Sequence, residues 1–293
     1  MKKGLRFISL SMLLFSCSTN QTATTIDKEN KTSSDSSLID ESTSSSSIES
    51  TSNVTQIDLD KEKIEDFNQY LLDINGHPNK VNVSMNSSYN FSSGDESDLE
   101  GSDIFEAIRY KRENASDIVI RNGTQIVENS KSDYQAQLFT DKNYFYTLVN
   151  DGNNKTKTSS IYIKSLEEEF FNISFGFTQI ANLNYLKSVI DNINISYTLD
   201  LPKNYLLKGE ISFSYSLASL DENKVKTKQI THQINLTIDN NAISKAKHIT
   251  QTDLYAGGIR ANWQRIESNY TYFQGEYELY KGEVFNPSEY LEQ

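Results

Sequence analysis

Few residues in this chain combine a reactive type with a spacing that chemistry could use. Among 293 residues there is one cysteine, Cys17, and there are three histidines, His77, His232 and His248. A lone thiol is a nucleophile or an acylation site, but it closes no internal disulfide and completes no cysteine-rich zinc site. Three histidines this far apart form no metal cluster by spacing. The run Glu167-Glu168-Glu169 offers paired carboxylates. Acids also collect in the first turn of a helix, where backbone N–H groups present the positive end of the dipole, and that structural reading is preferred. The sequence contains no phosphate loop ending in Lys-Ser or Lys-Thr, no dinucleotide fingerprint, no His-Glu-x-x-His and no Gly-x-Ser-x-Gly. A net charge of -12 argues against a basic nucleic-acid-binding chain. No catalytic residue, metal, cofactor or nucleic-acid partner is therefore expected.

Cys17 does have an informative context. Lys2, Lys3 and Arg6 precede the apolar run Phe7 to Phe15, after which the chain turns polar. A membrane-spanning helix needs about 20 apolar residues, so this shorter run reads as the hydrophobic region of a signal peptide. The stretch Leu14-Phe15-Ser16-Cys17 resembles the lipobox of bacterial lipoproteins. Leucine lies three before the cysteine and a small residue directly before it, while Phe15 is bulkier than the residue usual at its position. The resemblance implies removal of residues 1–16, a diacylglyceryl group on the Cys17 thiol, and a protein held on the extracytoplasmic face of a bacterial cell membrane. One acyl chain holds a protein marginally, at about 0.8 kcal/mol per buried CH₂, whereas two hold it stably.

From Ser18 to Thr55 the chain has 12 Ser, 8 Thr and no aromatic residue. So little apolar surface cannot offset a backbone ordering cost of roughly 1–2 kcal/mol per residue, which makes this segment a solvated tether. Lipidated Cys17 and the tether thus occupy residues 17–56. A single β-rich domain is expected over 57–293.

The elements of that domain follow from periodicity. Ile64, Phe67, Leu71 and Ile74 fit one face of a helix over residues 58–75, with Asp58 or Asp60 as cap and Gly76-His77-Pro78 as terminator. The pattern then switches to a period of two, with Val81, Val83, Met85, Ser87, Tyr89 and Phe91 on one side of a strand. Ile104, Ile108 and Tyr110 suggest a second strand. Asp117–Arg121 and Thr124–Val127 read as a hairpin around Asn122-Gly123, and further turns fall at 141–143 and 151–154. Ser165 with Glu168 matches a capping box for a helix through Phe170 and Phe171, and a second helix fits Gln179 to Asp191. Strands return at Tyr205, Leu207, Gly209, Ile211, Phe213, Tyr215 and Leu217, then at 230–238, 242–252 and 264–280. His232 falls on the apolar side of its strand and reads as a hydrogen-bonded inward or edge residue.

The fold class is α+β and mainly antiparallel β. A meander of this many twisted strands curls, and the N-terminal and central helices cover its concave face. The element order and lipoprotein signal together are similar to the half-open barrels of LolA-like and LppX-like bacterial lipid carriers. That resemblance implies a lipid or other apolar ligand. Tyr89, Phe91, Ile211, Phe213 and Tyr215 would line its site wherever the helices do not fill the concavity. The alternatives are an envelope-assembly or surface lipoprotein with a protein partner, signalled by an exposed aromatic or edge-strand patch, and an envelope hydrolase, which needs carboxylates or a histidine converging in a cleft.

Overall fold

A computed structural model describes residues 55–91, 99–127, 130–176 and 183–292, with Phe91, Leu99 and Ser174 described by backbone alone. Leu14, Phe15, Ser16, Cys17 and the Ser/Thr-rich tether up to Val54 lie outside the described residues, as does Gln179 at the expected start of the second central helix.

Helix α1 (Gln56–Asp73) is capped by Thr55 and not by Asp58 or Asp60. Thr55 Oγ1 accepts from the Asp58 N–H, while the Asp58 carboxylate accepts from the Thr55 N–H, each at 3.2 Å. This reciprocal box satisfies two backbone donors that the helix leaves unpaired, which moves Asp58 inside the first turn. Ile64, Phe67, Leu71 and Ile74 are all buried, as their spacing requires.

The strands are β1 (Pro78–Phe91), β2 (Leu99–Arg112), β3 (Ala115–Val127), β4 (Ser130–Thr140), β5 (Tyr144–Asn150) and β6 (Lys155–Ile161). Short helices α2 (Glu167–Asn172) and α3 (Leu183–Val189) among the described residues precede β7 (Ile195–Asp200), β8 (Gly209–Leu220), β9 (Lys226–Asp239), β10 (Ala242–Ala256), β11 (Ile259–Gln274) and the two-residue β12 (Leu291–Glu292). All twelve form one open sheet in the order β12-β6-β5-β4-β3-β2-β1-β11-β10-β9-β8-β7. Two meanders therefore meet where β11 pairs with β1, while β7 and β12 stand at opposite edges. Every pairing is antiparallel except that of β12 with β6. Curling makes one face concave. On it α1, α2 and α3 bury Phe67, Phe171, Leu183 and Leu186 against the sheet.

Several expectations are corrected by the sheet. Asn122-Gly123 is no turn, because β3 runs straight through it, paired with β2 on one side and β4 on the other. A Cβ at position 123 would come within 2.7 Å of Tyr134 Cζ and 2.8 Å of Phe105 Cβ, so the glycine is there to admit the Tyr134 ring. In β2 the inward residues are Asp103, Phe105, Ala107 and Arg109, whereas Ile104 is 55% exposed. Pairing of Phe105 with Val83 selects that face. The Ser165–Glu168 box does not form. Lys164–Leu166 is a 3-10 turn, α2 begins at Glu167 without a side-chain cap, and Glu168 is bound by Arg109 instead. Strand β7 was not anticipated, and β8 starts only at Gly209. Tyr205 and Leu207 precede it in an irregular segment, with Tyr205 stacked on Tyr70 of α1 at 4.7 Å.

Strand β11 stops at Gln274, so Tyr277 and Tyr280 belong to the segment that follows it. That segment builds a second core on the outer face, where Tyr280, Val284, Phe285 and Tyr290 cover Ile118, Ile120, Phe139 and Leu148. Buried Gln137 fastens it, donating to the Glu283 carbonyl at 3.0 Å and accepting from the Phe285 N–H at 2.8 Å. Tyr270 and Tyr272, inside β11, are buried in the sheet interior.

Candidate functional site: the concave floor

The inward residues lie in register across six strands, β2, β1, β11, β10, β9 and β8. One row reads Phe105, Val83, Tyr270, Ala246, Leu236 and Ile211, apolar throughout apart from the tyrosine hydroxyl. The next reads Asp103, Met85, Ser268, His248, Ile234 and Phe213. The third reads Gly101, Ser87, Ile266, Thr250, His232 and Tyr215. The floor thus passes from apolar to mixed within three rows.

Its polar groups form two clusters. On the β2–β4 side, Arg121 Nη2 meets Asp103 Oδ2 at 2.6 Å, the Tyr134 hydroxyl donates to Asp103 Oδ1 at 2.9 Å, and Arg121 Nε donates to the Tyr134 oxygen at 2.9 Å. The Arg121 guanidinium also lies 3.5 Å from the Phe105 ring centroid. Burial and the Asp103 charge push the Tyr134 hydroxyl well above its ordinary range, against the opposing pull of Arg121. On the β8–β10 side, His232 Nδ1 and His248 Nε2 are 3.0 Å apart, with Thr250 Oγ1 3.2 Å from His248 Nε2. The Tyr215 ring stacks on His232 at 4.6 Å.

Burial drives both histidines toward the neutral form. His232 is lowered to about 4 by desolvation, and His248 to about 3 by desolvation with a further contribution from His232. Desolvation likewise raises Tyr215. The Tyr215 side chain is only 3% exposed, and among the described residues its hydroxyl has no hydrogen-bond partner.

The roof over this floor consists of two separately fastened pieces. The α1–α3 piece is joined by Lys61–Asp191 at 2.7 Å, by Asn68–Asn184 at 2.8 Å and by a Lys187–Glu65 ion pair, and it sits on β8 through an edge-to-face Phe67–Phe213 contact at 4.8 Å. The α2 piece is held by the Arg109 fork, whose nitrogens meet Glu168 at 2.6 and 2.8 Å and Asp117 at 2.9 Å. Arg109 also lies between the Phe171 and Tyr277 rings, at 4.9 and 4.8 Å from their centroids. Just beyond α2, the Tyr272 hydroxyl donates to the Phe175 carbonyl at 2.8 Å.

Of the lining residues expected from sequence, Ile211, Phe213 and Tyr215 are buried side by side on β8, and Tyr89 is buried on β1 at the other side of the floor. The Phe91 side chain lies outside the described ones. Ile211 and Phe213 pack directly into the helix–sheet core, so an occupant would have to replace roof contacts there. The acid run forms no catalytic pair, since Glu168 binds Arg109 and Glu167 accepts from the Tyr162 hydroxyl. Sequence reasoning missed the histidine pair. A β-bulge between Ile243 and Lys245 shifts the register and turns His248 inward. The one available signal was the Ala246, His248, Thr250 alternation beyond the Asn240-Asn241 turn.

Among the described residues, no group of three or more His, Cys, Asp or Glu is placed to hold a metal, and no helix is long and apolar enough to cross a membrane. The outer face carries a broad depression of about 860 Å³ lined by Asn82, Ser84, Asn122, Thr124, Asn269 and Thr271 among others. It is wide open, and its lining mixes these polar residues with apolar ones such as Ile104 and Phe105.

An open antiparallel sheet with helices packed in its concavity is the fold class. No protein-family model and no curated protein matches the chain. Among solved structures it is similar to a LolA superfamily protein from Nitrosomonas europaea, at 8% identity over 73% of this chain and 94% of that one, with a TM-score of 0.25. It is also similar to a DUF1329 family protein from Desulfovibrio piger, at 10% identity over 75% and 94% of the respective chains, with a TM-score of 0.25. These likenesses are too weak to carry a functional argument.

Proposed function

We propose that this chain is a non-enzymatic, lipid-anchored extracytoplasmic protein that takes an apolar or amphipathic ligand between its concave floor and its helical roof. The carrying observation is one continuous inward face across six strands under a roof fastened in two pieces. The polar links between α1 and α3 are largely solvent-exposed, each worth about 1 kcal/mol or less, so this piece is held to the sheet mainly by non-directional apolar contacts of Phe67, Leu183 and Leu186. A chain entering beneath it exchanges roof–floor contacts for ligand–floor contacts, and each CH₂ it buries contributes about 0.8 kcal/mol. Hydrolysis is disfavoured because the two floor histidines face each other rather than a carboxylate.

The test is native mass spectrometry with organic extraction of the purified full chain. A copurified lipid is the expected result, and ligand-free protein that also fails to take up added lipid overturns the reading. Envelope-protein interaction is the second reading, favoured by Ile161, which is 74% exposed at the end of β6 beyond the two residues that β12 pairs, and by nearby exposed Ile163.

A further inference from the structure

The histidine cluster is one of the two polar clusters on the floor, and unlike the Asp103–Arg121 cluster it carries no ion pair among the described residues. Tyr215, His232, Thr250 and His248 occupy neighbouring inward positions on three adjacent strands, directly beside the apolar residues Phe213 and Ile234, with Ile211 one row further on. The Tyr215 hydroxyl is buried and unpartnered among the described residues, an arrangement that costs stability unless something completes it. Side chains on a strand stand roughly perpendicular to the sheet, so the hydroxyl at the ring's tip is carried away from the backbone toward the roof.

We propose that Tyr215, with His232, His248 and Thr250 behind it, forms a subsite for the uncharged, oxygen-bearing head of an amphiphile whose chain lies on the neighbouring apolar rows. This rests on the ligand-carrier reading above and specifies the class of ligand. Acylglycerols have that chemistry, with hydroxyl and ester oxygens joined to a long hydrocarbon chain.

The charge pattern gives the selectivity. A hydrogen bond between two imidazole nitrogens requires one of them to be unprotonated, so the His232–His248 pair does not present two cations. The charged floor groups of the other cluster, Asp103 and Arg121, already neutralise each other at 2.6 Å. A carboxylate or phosphate brought to Tyr215 would therefore lose its water without gaining a counter-ion, which is costly in a buried setting. A hydroxyl or ester loses less, and it gains the Tyr215 O–H as donor.

The experiment compares two probes with the same hydrocarbon chain, monoolein and oleate, by equilibrium binding to the full chain at neutral pH below their aggregation concentrations. The expected result is at least about tenfold tighter binding of monoolein. Tyr215→Phe keeps the ring and its stack on His232, and should weaken monoolein about tenfold while leaving oleate unchanged, as loss of one buried hydrogen bond implies. Thr250→Val is the second variant, expected to weaken monoolein alone by a smaller factor. Equal binding of the two probes, insensitive to Tyr215→Phe, overturns the head-group subsite but leaves the carrier standing. Binding of neither probe overturns both.

Discussion

His232 on β9 and His248 on β10 hydrogen-bond to each other at 3.0 Å although they are not cross-strand partners, His248 being opposite Ile234 and His232 opposite Thr250. The contact is a diagonal one on the inward face, in a floor otherwise dominated by aliphatic and aromatic side chains.

This pair should make stability depend on pH. Both imidazoles are lowered in the folded protein from 6.5, to about 4 and about 3, so the unfolded chain takes up protons that the buried pair refuses. Stability from this source is fully present above pH 6.5 and is lost as pH falls through about 4 and then about 3, by a total on the order of several kcal/mol. Urea midpoints measured between pH 7 and 5, above the main carboxylate range, should decline in the native protein. They should decline less in His232→Phe/His248→Leu, and parallel slopes would refute the assignment.

Tyr215→Phe should leave the ligand-free protein as stable as before, or raise its unfolding free energy by about 1 kcal/mol, because it removes a buried hydroxyl with no protein partner. Denaturant unfolding of lipid-stripped protein measures this. A loss above about 1 kcal/mol would show that the hydroxyl has a structural role.

Arg109→Ala should cost about 2–4 kcal/mol, because it removes a side chain packed between Phe171 and Tyr277 and leaves Asp117 without its partner. Glu168→Gln should cost under about 1 kcal/mol, since that carboxylate side chain is 65% exposed and screened. Comparable urea-midpoint shifts in the two variants would contradict this ranking.

Gly176→Ala should destabilise the fold by about 2 kcal/mol or more. The glycine has φ +74°, and a Cβ would stand 2.5 Å from Tyr270 Cε1 on a buried ring. Thermal melting against Gly152→Ala, a control at φ +82° with nothing within 4 Å of the added Cβ, separates the steric clash from the backbone strain common to both.

Cys17→Ala should abolish incorporation of labelled fatty acid and leave the chain as an uncleaved precursor or release it from the membrane fraction. Labelling that persists would place the acyl group elsewhere.

Much of the scaffold was legible from local pattern. The helix face Ile64/Phe67/Leu71/Ile74 and the inward side of β1 follow from periods of 3.6 and 2 that burial enforces. The hairpin around Asp239-Asn240-Asn241 follows from residues that tolerate positive φ, and Asn240 and Asn241 have φ of 52° and 61°. Asn122-Gly123 misled because the same dipeptide that favours a turn also suits a strand where another ring must approach the backbone. The Ser165 box failed because Arg109, 59 residues before Glu168 in the chain, offers that carboxylate a charged partner.

By itself, then, the sequence determined an α+β class, helices set against a curled sheet, and an inward side for β1, β8 and β9, since each depends on neighbours within a few residues. Only the tertiary structure decided which side of β2 and β10 faces in, and so brought Asp103 to Arg121 and His248 to His232. A single bulge at residues 243–245 reverses every side chain beyond it, and strand register is set by pairing and burial across the whole sheet.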